Sequence, residues 1–256
     1  VSSPTPTGLG MPTFTYLGIE VLRLPFIRSV SLGHEILHNW WGNGVYPDYQ
    51  RGNWAEGLTT FMSDYAYKER ESAEAARTMR LAWLRDYAAM PAGDDVPLTH
   101  FTQRIHGASQ VIGYHKAAMV FFMLRDQIGA DAFDAGIRAF WRTHRFRVAS
   151  WDDLRAAFEQ ASGRRLDAFF AQWLQRAGAP QPRIVDAGSS ATGSGWRLRV
   201  TVAQGTAPAS IWLPLVIRTS SGEVARRVEL AGEREVVELE LEAQPHAVTL
   251  DPDMRI

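Results

Sequence analysis

Two hydrophobic periods follow one another along the chain. From Ser31 to about Gly178 apolar residues recur at helical spacing, as in Trp54, Leu58, Phe61, Met62 and Tyr65, which fall on one helix face. The same period predicts helices over Ala73–Met90, Ala108–Ile128, Asp131–His144, Trp151–Ala161 and Leu166–Arg176. Pro91-Ala92-Gly93, Gly129, Ser162-Gly163 and Gly178-Ala179-Pro180 break them. Before Ser31, the Pro- and Gly-punctuated stretch up to Pro25 suits a short strand and loop better than a helix. After Pro182 apolar and polar residues alternate, as in Trp196-Arg197-Leu198-Arg199-Val200-Thr201-Val202 and Val237-Glu238-Leu239-Glu240-Leu241, with a turn signal at Ser220-Ser221-Gly222. That is antiparallel β structure, and about six short strands fit between Ile184 and Leu250, enough for a small sandwich. The expected class is α+β, with a mainly helical domain over residues 1–180 and a β-sandwich over 181–256.

Composition narrows the chemistry. A chain of 256 residues accommodates one large core or two smaller ones. With 46% hydrophobic residues, 21% charged and a net charge of -1, it is globular and offers no attraction to nucleic acid or acidic membranes. The absence of cysteine excludes disulfides and thiolate ligands, so a metal would be held by His, Asp or Glu. No apolar run approaches the roughly 18 to 20 residues that span a bilayer, and Val1–Gly10 lacks the basic start and apolar run of a signal peptide. The numbered residues read as a soluble chain, and neither a compartment nor an oligomeric state follows from them.

The stretch Ser31–Gly44, "SLGHEILHNWWGNG", carries the chemical signal. Residues four apart share a helix face, so His34 and His38 place two imidazoles on one ion. Glu35 lies about 100° around from His34, beside that ion. A bound Zn²⁺ lowers the pKa of water from about 15.7 to about 7, and a neighbouring carboxylate takes the proton as the water attacks a carbonyl. The same stretch also fits a buried helix whose imidazoles are satisfied among Ile36, Leu37, Trp40 and Trp41.

A catalytic zinc uses three protein ligands plus water, so a third is needed. Asp48, Glu56, Asp64 and the distant histidines are the choices. Glu56 is best placed, in the first turn of a helix starting near Asn53, although the same position suits the partner of an Asn53 capping box. Asp48 lies in a Pro-containing loop and reads as a turn residue.

"HEILHNWWGN" and "WAEGL" together resemble the H-E-x-x-H-x-W-x-G-N and W-x-N-E-G signatures of the gluzincin metallopeptidases that include membrane alanyl aminopeptidase and leukotriene hydrolase. The resemblance implies a thermolysin-like catalytic domain, with His34, His38 and Glu56 as zinc ligands and Glu35 as general base. The spacer Asn39–Ala55 is one residue shorter than usual, and Ala55 replaces the usual Asn. "GYHKAAMVFF" is similar to the family's Y-x-K-G-A stretch, which carries the oxyanion donor over to Tyr114; read alone, Tyr114 is an aromatic of an amphipathic helix. "SWDDL", "FFAQWL" and "GAP" look like the family's helical tail, which a β-sandwich follows.

The family's G-x-M-E-N motif, whose glutamate binds a substrate's free amine, is not matched. "GLGMPTF" stands there, with Pro12 in the glutamate slot and Thr13 next. Gly8, Gly10 and Met11 remain to offer backbone groups to an extended peptide, and Glu20 is an alternative amine partner. His100, His106, His115 and His144 read as surface or core residues; His106 also suits a substrate groove and Arg104 a substrate carboxylate, beside plainer solvated roles. The expected function is that of a zinc metallopeptidase of aminopeptidase type acting on peptides. The alternatives are an endopeptidase or other amide hydrolase without amine recognition, and a catalytically silent zinc-stabilised binding protein.

Overall fold

The computed structural model describes residues 2–4, 8–23, 27, 31–205 and 208–256, and is a mixture of helix and sheet. The part of the expected N-terminal strand and loop that falls on residues 5–7 and 24–26, Pro25 among them, lies outside the described residues. Two compact units are present, Val1–Ala177 and Gly178–Ile256.

The first unit opens with strands β1 (Ser2–Ser3), β2 (Gly8–Met11) and β3 (Phe14–Gly18), which form a sheet of order β1-β3-β2 with β2 on an edge. A single helical turn, α1 (Ile19–Leu22), follows where only loop was expected. Helix α2 (Ser31–Leu37) carries His34 and Glu35, with His38 in the turn directly after it, and α3 (Ala55–Thr60) carries Glu56. Helix α3 runs without a break through a π-helical segment, Phe61–Tyr65, into α4 (Ala66–Glu71), and α5 (Ala73–Ala89) starts at Ser72, whose side chain accepts from the Ala75 N–H. A second continuous rod joins α6 (Gly107–Gln110), a π segment Val111–Lys116 and α7 (Ala117–Ile128).

Helix α7 is buried at every position from Ala117 to Leu124, so it shows little amphipathic contrast and forms the unit's centre. Trp54, Leu58, Phe61 and Tyr65 are buried, as their spacing predicted, while Met62 is only half-buried, its eight steps from Trp54 placing it about 80° around, at the edge of that face. Phe61 and Trp151 stack on Phe121 from different elements, 6.4 and 5.3 Å between centroids. Gly57 lets the two rods meet backbone to backbone, since a Cβ there would lie 2.2 Å from the Ala117 Cβ. Helices α8 (Ala130–His144), α9 (Trp151–Ser162, begun by a Ser150/Asp153 capping box) and α10 (Asp167–Leu174) complete the unit. Strands β4 (Tyr46–Pro47) and β5 (Val148–Ala149) pair in parallel, and the Trp54 indole N–H donates to the Ala149 carbonyl at 2.8 Å, which anchors the start of α3.

The second unit holds β6 (Arg183–Thr192), β7 (Gly195–Ala203) and β10 (Arg234–Leu241) in one antiparallel sheet, and β8 (Ile211–Thr219), β9 (Gly222–Leu230) and β11 (Pro245–Leu250) in another. The alternation has a clear physical outcome there. Leu198, Val200 and Val202 are buried, whereas Arg197 and Arg199 pair across the strands with Glu240 and Glu238.

Candidate functional site

The last turn of α2 and the first turn of α3 bring three side chains together. His34 Nε2 and His38 Nε2 lie 3.4 and 3.3 Å from the same oxygen, Glu56 Oε2, and the three donor atoms are within 4.8 Å of one another. His34 is buried, and His38 and Glu56 are half-buried. Trp54, not Asn53, is the N-cap residue of α3; Asn53 accepts from the Ala55 N–H at 3.0 Å in the turn just before it, and Glu56 turns toward the imidazoles.

The opposite ring nitrogens settle the tautomer. His38 Nδ1 lies 2.8 Å from the Trp41 carbonyl, which only accepts, so Nδ1 carries the proton; His34 Nδ1 faces the Asp64 carboxylate at 3.2 Å in the same way. Neutral imidazoles so held turn bare Nε2 lone pairs toward a carboxylate oxygen, which is repulsive unless a cation lies between them. The set fits a metal. The edge of a tetrahedron with bonds of about 2.0–2.1 Å is about 3.3–3.4 Å, which is the spacing observed at two of the three edges. Without a metal, protons must take that place. Burial, the largest influence on His34, pushes its pKa down, but the hydrogen bonds and charges of Asp64 and Glu56 outweigh it and bring it up to about 10. His38 is also raised, Glu56 outweighing burial. Burial works against ionisation of Glu56, yet the two histidines hold its carboxyl well below the usual range.

Asp64, considered above as a third ligand, instead orients His34 from the far side. Eight α-helical steps would place it about 80° around from Glu56. The wider turn of the π segment reduces that angle, and both carboxylates face α2. Asp48 holds a turn, accepting from the Gln50 N–H at 3.2 Å.

Glu35 lies against β2. A Cβ on Gly8 would be 2.6 Å from Glu35 Oε1, and one on Gly10 2.5 Å from the His38 Cβ, so only glycine lets this strand lie on α2. The Gly10 N–H donates to the Glu35 carboxylate and the Gly10 carbonyl accepts from Asn43 Nδ2 at 2.7 Å. Asn39 adds a second tie, accepting from the Thr13 N–H at 3.2 Å. Both polar groups of Gly10 thus have partners within the protein, and Met11 is exposed beside it. Burial raises the Glu35 pKa above the ordinary glutamate value, with His34 and His38 opposing it.

Tyr114 closes the other side. Its ring stacks on His34 with centroids 5.9 Å apart, and its hydroxyl donates to Glu56. Burial, then the Glu56 charge, push the phenol far above its usual pKa, so it remains a proton donor.

The other histidines lie elsewhere. His106 caps α6, His115 pairs with Asp86 at 3.1 Å, His144 packs on Phe140, and His100 is exposed. Glu20 is bound to Arg23 at 2.7 Å with both side chains largely exposed. Sequence reasoning did not find the roles of Asn39, Asn43 and the Trp41 carbonyl. Asparagines at the end of a helix are common as caps, and a main-chain carbonyl leaves no residue-type signal.

Residues 28–173 match the Peptidase family M1 domain. Tricorn protease-interacting factor F2 of Thermoplasma acidophilum is 28% identical over 221 residues, covering 81% of this chain and 27% of that protein. Aminopeptidase N of Caulobacter vibrioides is 30% identical over 169 residues, covering 64% and 19%. Among solved structures, Legionella pneumophila aminopeptidase A in complex with aspartic acid gives a TM-score of 0.65 at 20% identity, covering 87% of this chain and 25% of that one. The chain spans about a quarter of the length of the first curated relatives, at 27% and 26%.

Proposed function

The chain belongs to peptidase family M1, and from that premise we propose that it is the catalytic core of a zinc-dependent peptidase of aminopeptidase type. The single observation carrying this reading is the pair of Nε2 atoms 3.3 and 3.4 Å from one Glu56 oxygen, with both Nδ1 protons already spent on Trp41 and Asp64. We further read the first unit as thermolysin-like and the second as a β-sandwich; the buried alternation along β7 and β8 supports the latter.

His34, His38 and Glu56 would hold the zinc, which supplies a Lewis acid for a carbonyl and brings the pKa of water toward neutrality. Glu35 takes the proton of the attacking water on its carboxylate and returns it to the leaving amine. Its burial and raised pKa suit both directions of that transfer. The Gly10 N–H keeps the carboxylate oriented. Tyr114, whose hydroxyl donates to Glu56 here, would turn that proton to the oxyanion once Glu56 is engaged by a metal, a role that requires a phenol that stays protonated. Gly8 and Met11 border the site on a strand edge that suits an extended peptide, whereas Gly10, expected to offer backbone groups as well, has its N–H and carbonyl taken by Glu35 and Asn43.

One observation favours the alternative of hydrolysis without amine recognition. Pro12 and Thr13, neither of them a carboxylate, occupy the turn between β2 and β3, where the Thr13 N–H donates to Asn39, and Glu20 is engaged by Arg23. Free-amine and N-acetylated versions of one peptide decide between them, assayed before and after chelation. Chelation should abolish cleavage and added zinc restore it, while Glu35→Gln should lower kcat about 10²-fold or more with metal retained. Cleavage that survives either treatment would remove the metallopeptidase reading, and cleavage of the acetylated peptide alone would remove the aminopeptidase version.

A further inference from the structure

The segment entering the Tyr114 helix is fixed at both ends. On one side the Asn53 N–H donates to the Phe101 carbonyl at 2.6 Å and Asn53 Nδ2 to the Thr102 carbonyl at 3.0 Å. The buried Phe101 ring fills the space where a Gly113 Cβ would lie and meets the Tyr114 ring edge-on, 6.2 Å between centroids. On the other side the Ile105 and His106 N–H groups both donate to Ser109 Oγ, at 2.8 and 3.0 Å. Arg104 sits between these anchors with an exposed side chain.

Its guanidinium has no carboxylate within 4.0 Å among the described residues, only a long contact to Gln110 Oε1 at 3.5 Å. The arginine nevertheless reaches the site electrostatically. Burial and then Glu56 push the Tyr114 phenol up, and the Arg104 charge is what pulls against them. Glu35, Glu56 and Asp64 around the same centre are all carboxylates, so the held cation on the Tyr114 side stands out against them. An unpaired planar fork of donors on a fixed segment matches a carboxylate in two-point geometry. Many surface arginines are merely solvated; this one differs in its anchored flanks, on a segment whose buried Phe101 ring packs edge-on against Tyr114.

Resting on the peptidase reading, we propose that Arg104 is a specificity residue that receives a carboxylate of the substrate, from a free C-terminus or from an acidic side chain. Calorimetry on the zinc-loaded E35Q chain, which binds peptide without consuming it, tests this with Ala-Phe-Ala against its C-terminal amide, and Ala-Phe-Asp-amide against Ala-Phe-Asn-amide. At least one pair should show the carboxylate form binding about 10-fold tighter or more, and the pair that does so identifies the source. Adding R104Q should bring that ratio to near one, and R104K should retain part of it because the charge stays and the fork is lost. Ratios near one in both pairs with Arg104 present, or a ratio that R104Q leaves as it was, would overturn the proposal. Failure of the wild-type chain to cleave any of these peptides would count against the peptidase reading, and the binding ratios would still decide the Arg104 contact.

Discussion

At the residue scale, the site is a set of acceptors arranged so that some cation must be present. Glu56 Oε2 faces two Nε2 atoms whose rings are fixed through Nδ1, and protons or a metal can fill the same place. The competition has a definite pH dependence. In metal-free protein the folded His34 pKa is raised from 6.5 to about 10, so its contribution to stability is complete below pH 6.5 and is lost as pH rises toward about 10. Glu56 is lowered, so its contribution is present above 4.5 and lost as pH falls below that value. Metal binding instead requires both imidazoles neutral and is favoured by rising pH. The gap in melting temperature between zinc-loaded and chelated protein should therefore widen from pH 6.5 to 9. A gap that stays constant or narrows would mean that the metal does not displace these protons.

At the element scale, what matters is how closely the rods approach. Gly57 stands one residue after Glu56, and the α3 to α7 contact depends on its missing side chain. Gly57→Val should cost about 1–3 kcal/mol, read by thermal melting, and should weaken zinc affinity beyond what the loss of stability explains, because the rod carrying Glu56 is displaced. A variant that melts early yet binds zinc normally would refute the positional part of this argument. The elements also show what the sequence disclosed. Helical period and breakers located the helices near their observed limits, since Gly129 and Gly163 end α7 and α9 at positive φ, local chemistry legible in one dimension. His34, Glu35, His38 and Glu56 were legible because they lie in helical turns of known pitch. The two π segments were not, because a wider turn leaves no mark in an apolar pattern, and the contact of Asp64 with His34 that the first of them favours was hidden with it. The strand packed on Glu35 was equally hidden, since Gly8 and Gly10 contribute by lacking side chains.

At the scale of the whole molecule, the proposed site lies within the first unit. Its residues come from α2 and the turn after it, α3 and the two π segments, whereas the second unit has His246 as its only imidazole. No helix among the described residues is long and apolar enough to cross a membrane. A metal held as proposed, by residues from two separate segments, would be a cross-link, so it should be held stoichiometrically and only by the folded unit. Zinc-edge X-ray absorption on the loaded chain, beside Glu56→Ala, tests this most directly. We expect one zinc per chain with two imidazole nitrogens at about 2.0–2.1 Å and carboxylate oxygen completing the shell, and in the variant loss of that oxygen with weakened retention. A zinc surrounded by solvent oxygens alone, or a coordination shell that Glu56→Ala leaves intact, would contradict the account.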